Sequence, residues 1–77
     1  MTINIMIFGQ LTDILSKQTL TLNDIADTNQ LVSELNKQYP ALAQAKFVIA
    51  VDKQTVSGNT KLRDGSMVAL LPPFSGG

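Results

Sequence analysis

From Thr2 to Phe8 the chain alternates strictly, placing Ile3, Ile5 and Ile7 on one side and Asn4, Met6 and Phe8 on the other. A period of two rich in β-branched residues predicts a strand. Gly9 interrupts it, and Leu11, Ile14 and Leu15 then recur at helical spacing, predicting a short helical turn over 11–16. Gln18 to Leu22 alternates again, with Thr19 and Thr21 against Leu20 and Leu22, which predicts a half-buried antiparallel strand near a sheet edge.

Thr28 is a candidate N-cap for the main helix, whose apolar stripe is Leu31, Val32, Leu35 and Tyr39 and whose end is set by Pro40. Phe47 to Val51 is an apolar run too short for a helix. Followed by Asp52-Lys53 and then Gln54-Thr55-Val56, it predicts a hairpin. Gly58-Asn59 and Asp64-Gly65 are turn dipeptides, after which Met67-Val68-Ala69-Leu70-Leu71 forms a last strand that is apolar on both faces. There is no internal repeat and no linker. The elements therefore share one mixed sheet packed on one main helix, an α+β fold of the β-grasp kind over residues 1–77, with a flexible tail at 72–77. The first and last strands are the most apolar, so they belong side by side in the middle of the sheet.

Composition narrows the chemistry more than the fold. In a chain of 77 residues, 44% hydrophobic and 16% charged, a single thin core is expected. Six basic and six acidic residues cancel and are scattered, which leaves no electrostatic footprint for nucleic acid or an anionic membrane. No basic leader precedes Ile3, and no apolar run approaches the ~20 residues of a membrane span, so the cytoplasm is the expected compartment. The chain has neither Cys nor His, which removes the usual nucleophile, general base and soft metal ligands. Asp13, Asp24 and Asp27 fit no known metal loop and read as solvated surface. Gly58 and Gly65 lie in no phosphate-binding motif.

Two features remain. One helix covers one sheet face, yet Met6, Phe8, Met67, Ala69 and Leu71 fall on the side away from Ile3, Ile5 and Ile7. They form an exposed apolar patch of the kind that marks a protein interface, unless loops such as 11–16 fold over it. The second feature is the ending Pro72-Pro73-Phe74-Ser75-Gly76-Gly77. Two prolines favour an extended stalk, and the five residues from Pro73 onward reach on the order of 15 Å. Glycines lack Cβ, so this tip can thread a narrow channel. Taken alone the tail is unspecific, because two glycines at given positions occur by chance in roughly one chain in 200 at ~7% usage.

The tail Pro-Pro-x-x-Gly-Gly after an apolar strand, Leu62-Arg63-Asp64-Gly65 and Val68 before it, and Phe8-Gly9-Gln10 after the first strand together resemble the small subunit of molybdopterin synthase, the MoaD family of ubiquitin-like sulfur carriers. The resemblance spans essentially the whole chain. It implies a ubiquitin-like β-grasp protein whose terminal carboxylate, on Gly77, is adenylated with ATP by an adenylyltransferase of the ubiquitin-activating type (MoeB-like) and converted to a thiocarboxylate with sulfur from a donor protein. The tail then enters the large synthase subunit (MoaE-like), in a heterotetramer, where sulfur passes to cyclic pyranopterin monophosphate. Two transfers build the dithiolene of molybdopterin. By the same mapping Gly76 is the slim penultimate residue, and Phe8, Leu71, Pro72, Pro73, Phe74 and Ser75 face the partners.

The resemblance also implies that no cofactor is bound by this chain alone, ATP being used by the activating enzyme, and that the chain is a co-substrate rather than a catalyst. Thr12 stands where relatives often carry Arg, Ser66 where an acid is common, and Phe74 where a smaller aliphatic residue is usual. The chemistry is consistent with the composition. A terminal carboxylate, with pKa near ~3.5, is ionised at neutral pH and needs a leaving group before it can be attacked. Without Cys, a persulfide has no side chain on which to form. The alternatives are another Gly-Gly carrier, of the thiamin type, against which Pro72-Pro73 argues, a ubiquitin-like modifier conjugated to lysines, and a ubiquitin-like interaction module with an inert tail.

Overall fold

Ile3, Ile5 and Ile7 turn inward at 4% exposure or less, while Thr2, Asn4 and Met6 face out, as their alternation requires. The computed structural model describes residues 2–73. Along it run β1 (Thr2–Ile7), α1 (Leu11–Leu15), β2 (Thr19–Asn23), α2 (Thr28–Gln38), a 3-10 turn (Pro40–Gln44), β3 (Val48–Val51), β4 (Gln54–Val56) and β5 (Met67–Leu71). The strand order is β2-β1-β5-β3-β4. The two chain-terminal strands, β1 and β5, lie parallel at the centre, and the other pairings are antiparallel. This is the α+β, β-grasp arrangement that the pattern predicts, with β2 as an edge strand.

One cluster fills the space between sheet and helices. Ile3, Ile5, Ile7, Val68 and Leu70 come from the central strands, Leu31 and Leu35 from α2, and Leu11 and Leu15 from α1, with Leu22, Ile25, Leu42 and Leu62 closing the sides. Among the described residues no helix is long and apolar enough to cross a membrane.

One local expectation is corrected. Asp27, not Thr28, caps α2, because its carboxylate accepts from the Gln30 amide at 2.9 Å, and Gln30 in turn reaches back to the Ala26 amide at 2.9 Å. Thr28 is already helical and buried, and its hydroxyl accepts from the Thr60 amide at 2.9 Å. The segment after Tyr39, for which the sequence pattern predicts no element, is ordered. Pro40 starts the 3-10 turn, which presses Leu42 fully into the core.

The start of the central strand pair is clamped by the turn at Arg63–Ser66. Ser66 N–H donates to Arg63 O at 2.9 Å, and Gly65 takes φ +83° at the third position of the turn, which favours glycine. From this turn the Asp64 carboxylate accepts from the Thr2 amide at 2.7 Å and Gly65 N–H donates to Thr2 O at 2.7 Å. Ser66 is buried, its hydroxyl accepting from the Arg63 amide at 2.8 Å. Arg63-Asp64-Gly65 thus sets the register of β1 against β5.

Candidate functional site

Alternation along the paired strands assigns the sheet's second face. Val68 and Leu70 are in the core, so Met67, Ala69 and Leu71 point away from it, next to Asn4 and Met6 of the parallel neighbour in the register Asn4–Met67 and Met6–Ala69. Past the last paired residues, the Phe8 amide donates to Leu70 O at 3.1 Å, continuing the ladder by one step. Met6, Phe8 and Met67 are 38%, 40% and 45% exposed, and among the described residues they are the large hydrophobic residues most open to solvent. Ala69 and Leu71 lie half-buried between them and β3.

The apolar patch is therefore open. α1 does not fold over it, because Leu11 and Leu15 pack with Ile3, Ile5 and Ile7 on the opposite face. Its form is a strip along β1 and β5. On one side Thr19, Thr21 and Asn23 of β2 pair with Met6, Asn4 and Thr2, giving a polar border. On the other, Ala50 of β3 pairs with Ala69, and beyond it Thr55 of β4 pairs with Ala50. An uncovered apolar surface with polar margins is the composition of a protein interface.

Because β1 and β5 are parallel, the strip ends where β5 delivers the chain to Pro72. Pro72 is half-buried and Pro73 exposed. With Gln10, Leu11, Ile14, Ala45 and Lys46 they line a shallow groove of about 270 Å³ on the flank of the sheet end. A second groove, of about 430 Å³, lies on the strip side and includes Met6, Phe8, Gly9 and Thr12. Thr12 donates its hydroxyl to Gly9 O at 2.8 Å.

Phe8, Leu71, Pro72 and Pro73 thus lie together at one end of the central pair, whereas Phe74, Ser75, Gly76 and Gly77 lie outside the described residues. Gly9 is the residue the site reading left out. It has φ +61°, and a Cβ built on it would sit 2.6 Å from Pro72 Cγ. The sequence signal was a glycine after a strand, within the Phe8-Gly9-Gln10 segment that carries part of the resemblance. Of the three aspartates, Asp27 serves as the α2 cap, and among the described residues no three His, Cys, Asp or Glu side chains come together as a metal site.

The sequence model of the ThiS family matches residues 5–77. Over the whole of both chains, the protein is 32% identical to the molybdopterin synthase sulfur carrier subunit of Chlamydomonas reinhardtii. Among solved structures it is similar to a chain of the complex of subunits 1 and 2 of molybdopterin-converting factor from Helicobacter pylori, with a TM-score of 0.75, 25% identity and all of both chains covered. It is also similar to the small archaeal modifier protein 1 of Methanosarcina acetivorans, with a TM-score of 0.83, 20% identity, and 99% of this chain and 96% of that one covered. The second likeness bears on the ubiquitin-like fold alone. With the family model covering nearly all of the sequence and a full-length relative agreeing, this chain belongs to the ThiS family and is a homologue of the molybdopterin synthase sulfur carrier subunit.

Proposed function

We propose that this protein carries sulfur as a thiocarboxylate on Gly77 and delivers it, inside a two-subunit molybdopterin synthase, to cyclic pyranopterin monophosphate. The observation that carries the reading is the apolar strip of Met6, Phe8 and Met67 running along β1 and β5 to Pro72, where the chain leaves the sheet toward Gly76-Gly77. The strip is the docking face, and the sequence beyond Pro73 is the reactive arm.

In the chemical sequence, the Gly77 carboxylate oxygen attacks the α-phosphorus of ATP on the activating enzyme, releasing pyrophosphate and forming an acyl adenylate. A sulfide equivalent from the donor protein then displaces AMP and leaves the thiocarboxylate. Giving up that sulfur to the pterin and taking the oxygen of water returns the carboxylate. This chain contributes no acid, base or metal to these steps. It contributes a terminus without side-chain bulk and a rigid body by which two different enzymes hold it.

The test is the intact mass of the protein before and after incubation with its activating enzyme, ATP and a sulfur source, with and without Gly77. The expected result is a gain equal to the exchange of one oxygen for sulfur, absent from the truncated chain, while both forms bind the large subunit. A full-length chain that gains no sulfur from a competent activating enzyme, or is found instead amide-linked to lysines of other proteins, overturns the reading.

A further inference from the structure

At the exit of β5, Gly9 and the Pro72 ring lie in close contact. Gly9 follows β1, Pro72 follows β5, and a Cβ at position 9 would lie 2.6 Å from Pro72 Cγ and 3.3 Å from Cδ, against an ordinary carbon contact of ~3.5–4.0 Å. The proline ring thus rests on bare backbone. Gly9 is held on both sides and cannot retreat. The Phe8 amide is bonded to Leu70 O at 3.1 Å, and Gly9 O accepts from Thr12 N at 3.1 Å and Thr12 Oγ1 at 2.8 Å. Leu71, just before the ring, is fixed by its pairing with Val48.

We propose that Gly9 is a positioning residue for the carrier arm: by lacking a side chain it seats the Pro72 ring and sets the direction in which Pro72-Pro73 leaves the sheet. The inference rests on the reading of Gly77 as the carrier terminus. A Cβ at position 9 must move the ring by about 1 Å to regain ordinary contact. With Leu71 as pivot, about one residue (~3.8 Å) away, that is a turn of roughly 15° in the direction in which the chain leaves Pro72. An error of 1 Å in a reacting group can cost ~100-fold in rate.

The experiment compares full-length Gly9→Ala, Pro72→Ala and the double variant. Any L-residue at φ +61° is strained whether or not the ring is present, so that strain lowers the melting temperature equally in both backgrounds. The aim of the arm behaves differently. Without the ring, the remaining contact is to Pro72 Cβ at 3.7 Å, which is ordinary, so Gly9→Ala matters only when the ring is there. Gly9→Asn carries the same Cβ but tolerates positive φ better, and it replaces Gly9→Ala should that variant not fold.

The first readout needs no sulfur chemistry. The chain has no cysteine, so Ser75→Cys takes a single nitroxide label, and the amides it broadens in the NMR spectrum report the arm's direction. The set should change with Gly9→Ala on the Pro72 chain and stay the same on the Pro72→Ala chain. The second readout is the rate of sulfur transfer from the thiocarboxylated, unlabelled protein within the synthase. It should fall 10-fold or more with the ring and less than 2-fold without it. An unchanged broadening pattern, or equal losses in both backgrounds, overturns the inference. Failure of the parent chain to gain sulfur would instead count against the carrier reading, and the label experiment would still decide the role of Gly9.

Discussion

Truncating Phe8 to alanine separates the docking face from the fold. Phe8 is 40% exposed and is not part of the core cluster, so its side chain has contact area to give to a partner beyond the three-fifths already packed at home. Two-fifths of a phenylalanine's ~200 Å² leaves roughly 80 Å² to bury on docking, about 2 kcal/mol at ~25 cal/mol per Å². That corresponds to ~30-fold in the dissociation constant. The Phe8 backbone is already fixed by its bond to Leu70 O, so the partner orders little new chain on binding. Titration calorimetry of Phe8→Ala against the large synthase subunit, at a temperature where circular dichroism shows the variant folded, should therefore show a ~30-fold weaker complex, alongside a stability loss of up to about 3 kcal/mol from the ~120 Å² that Phe8 already buries. An affinity within 3-fold of the parent would refute the strip as the docking face.

Two stability changes check the local reasoning. Asp52 and Lys53 both take positive φ, 48° and 74°, in the β3–β4 hairpin, a turn geometry that favours glycine; Lys53→Gly should gain ~0.5–1 kcal/mol in urea unfolding, the relief of left-handed strain exceeding the added freedom of the unfolded chain. Asp27→Ala removes the 2.9 Å cap on the Gln30 amide and should cost about 1 kcal/mol, whereas Thr28→Ser, which keeps the hydroxyl that Thr60 uses, should cost less.

The central strands were legible because burial on one side and an open apolar strip on the other make both of their faces apolar, a pattern that β2 and β4 lack. The helix was legible from Leu31 and Leu35, but its start was misplaced by one residue. Asp27-Thr28-Asn29-Gln30 carries the cap-and-return spacing, and Thr28 is taken up by a contact more than 30 residues away that local reasoning does not see. The 3-10 turn offers a single apolar anchor, Leu42, which is too little for a period. Gly9 and Pro72 are 63 positions apart, and only the parallel pairing of β1 and β5 brings them together. The open strip was legible by counting faces: one main helix leaves one side of the sheet to something else.

That open side also explains how so small a domain can present an apolar surface without becoming sticky along its edges. Sheet edges are where strands of different molecules join, and here the edge strand β2 shows Thr19, Thr21 and Asn23 on the open side, while β4 shows Thr55. The apolar residues are confined to the middle pair, so a partner that covers them must lie along β1 and β5 rather than extend the sheet. Both strands run toward Gly9 and Pro72, so alignment with the strip is alignment with the exit of the arm. On the proposed reading, a strip that fixes a partner's orientation, followed by a junction that fixes the departure angle, would place the terminal atom in two enzymes with the same body.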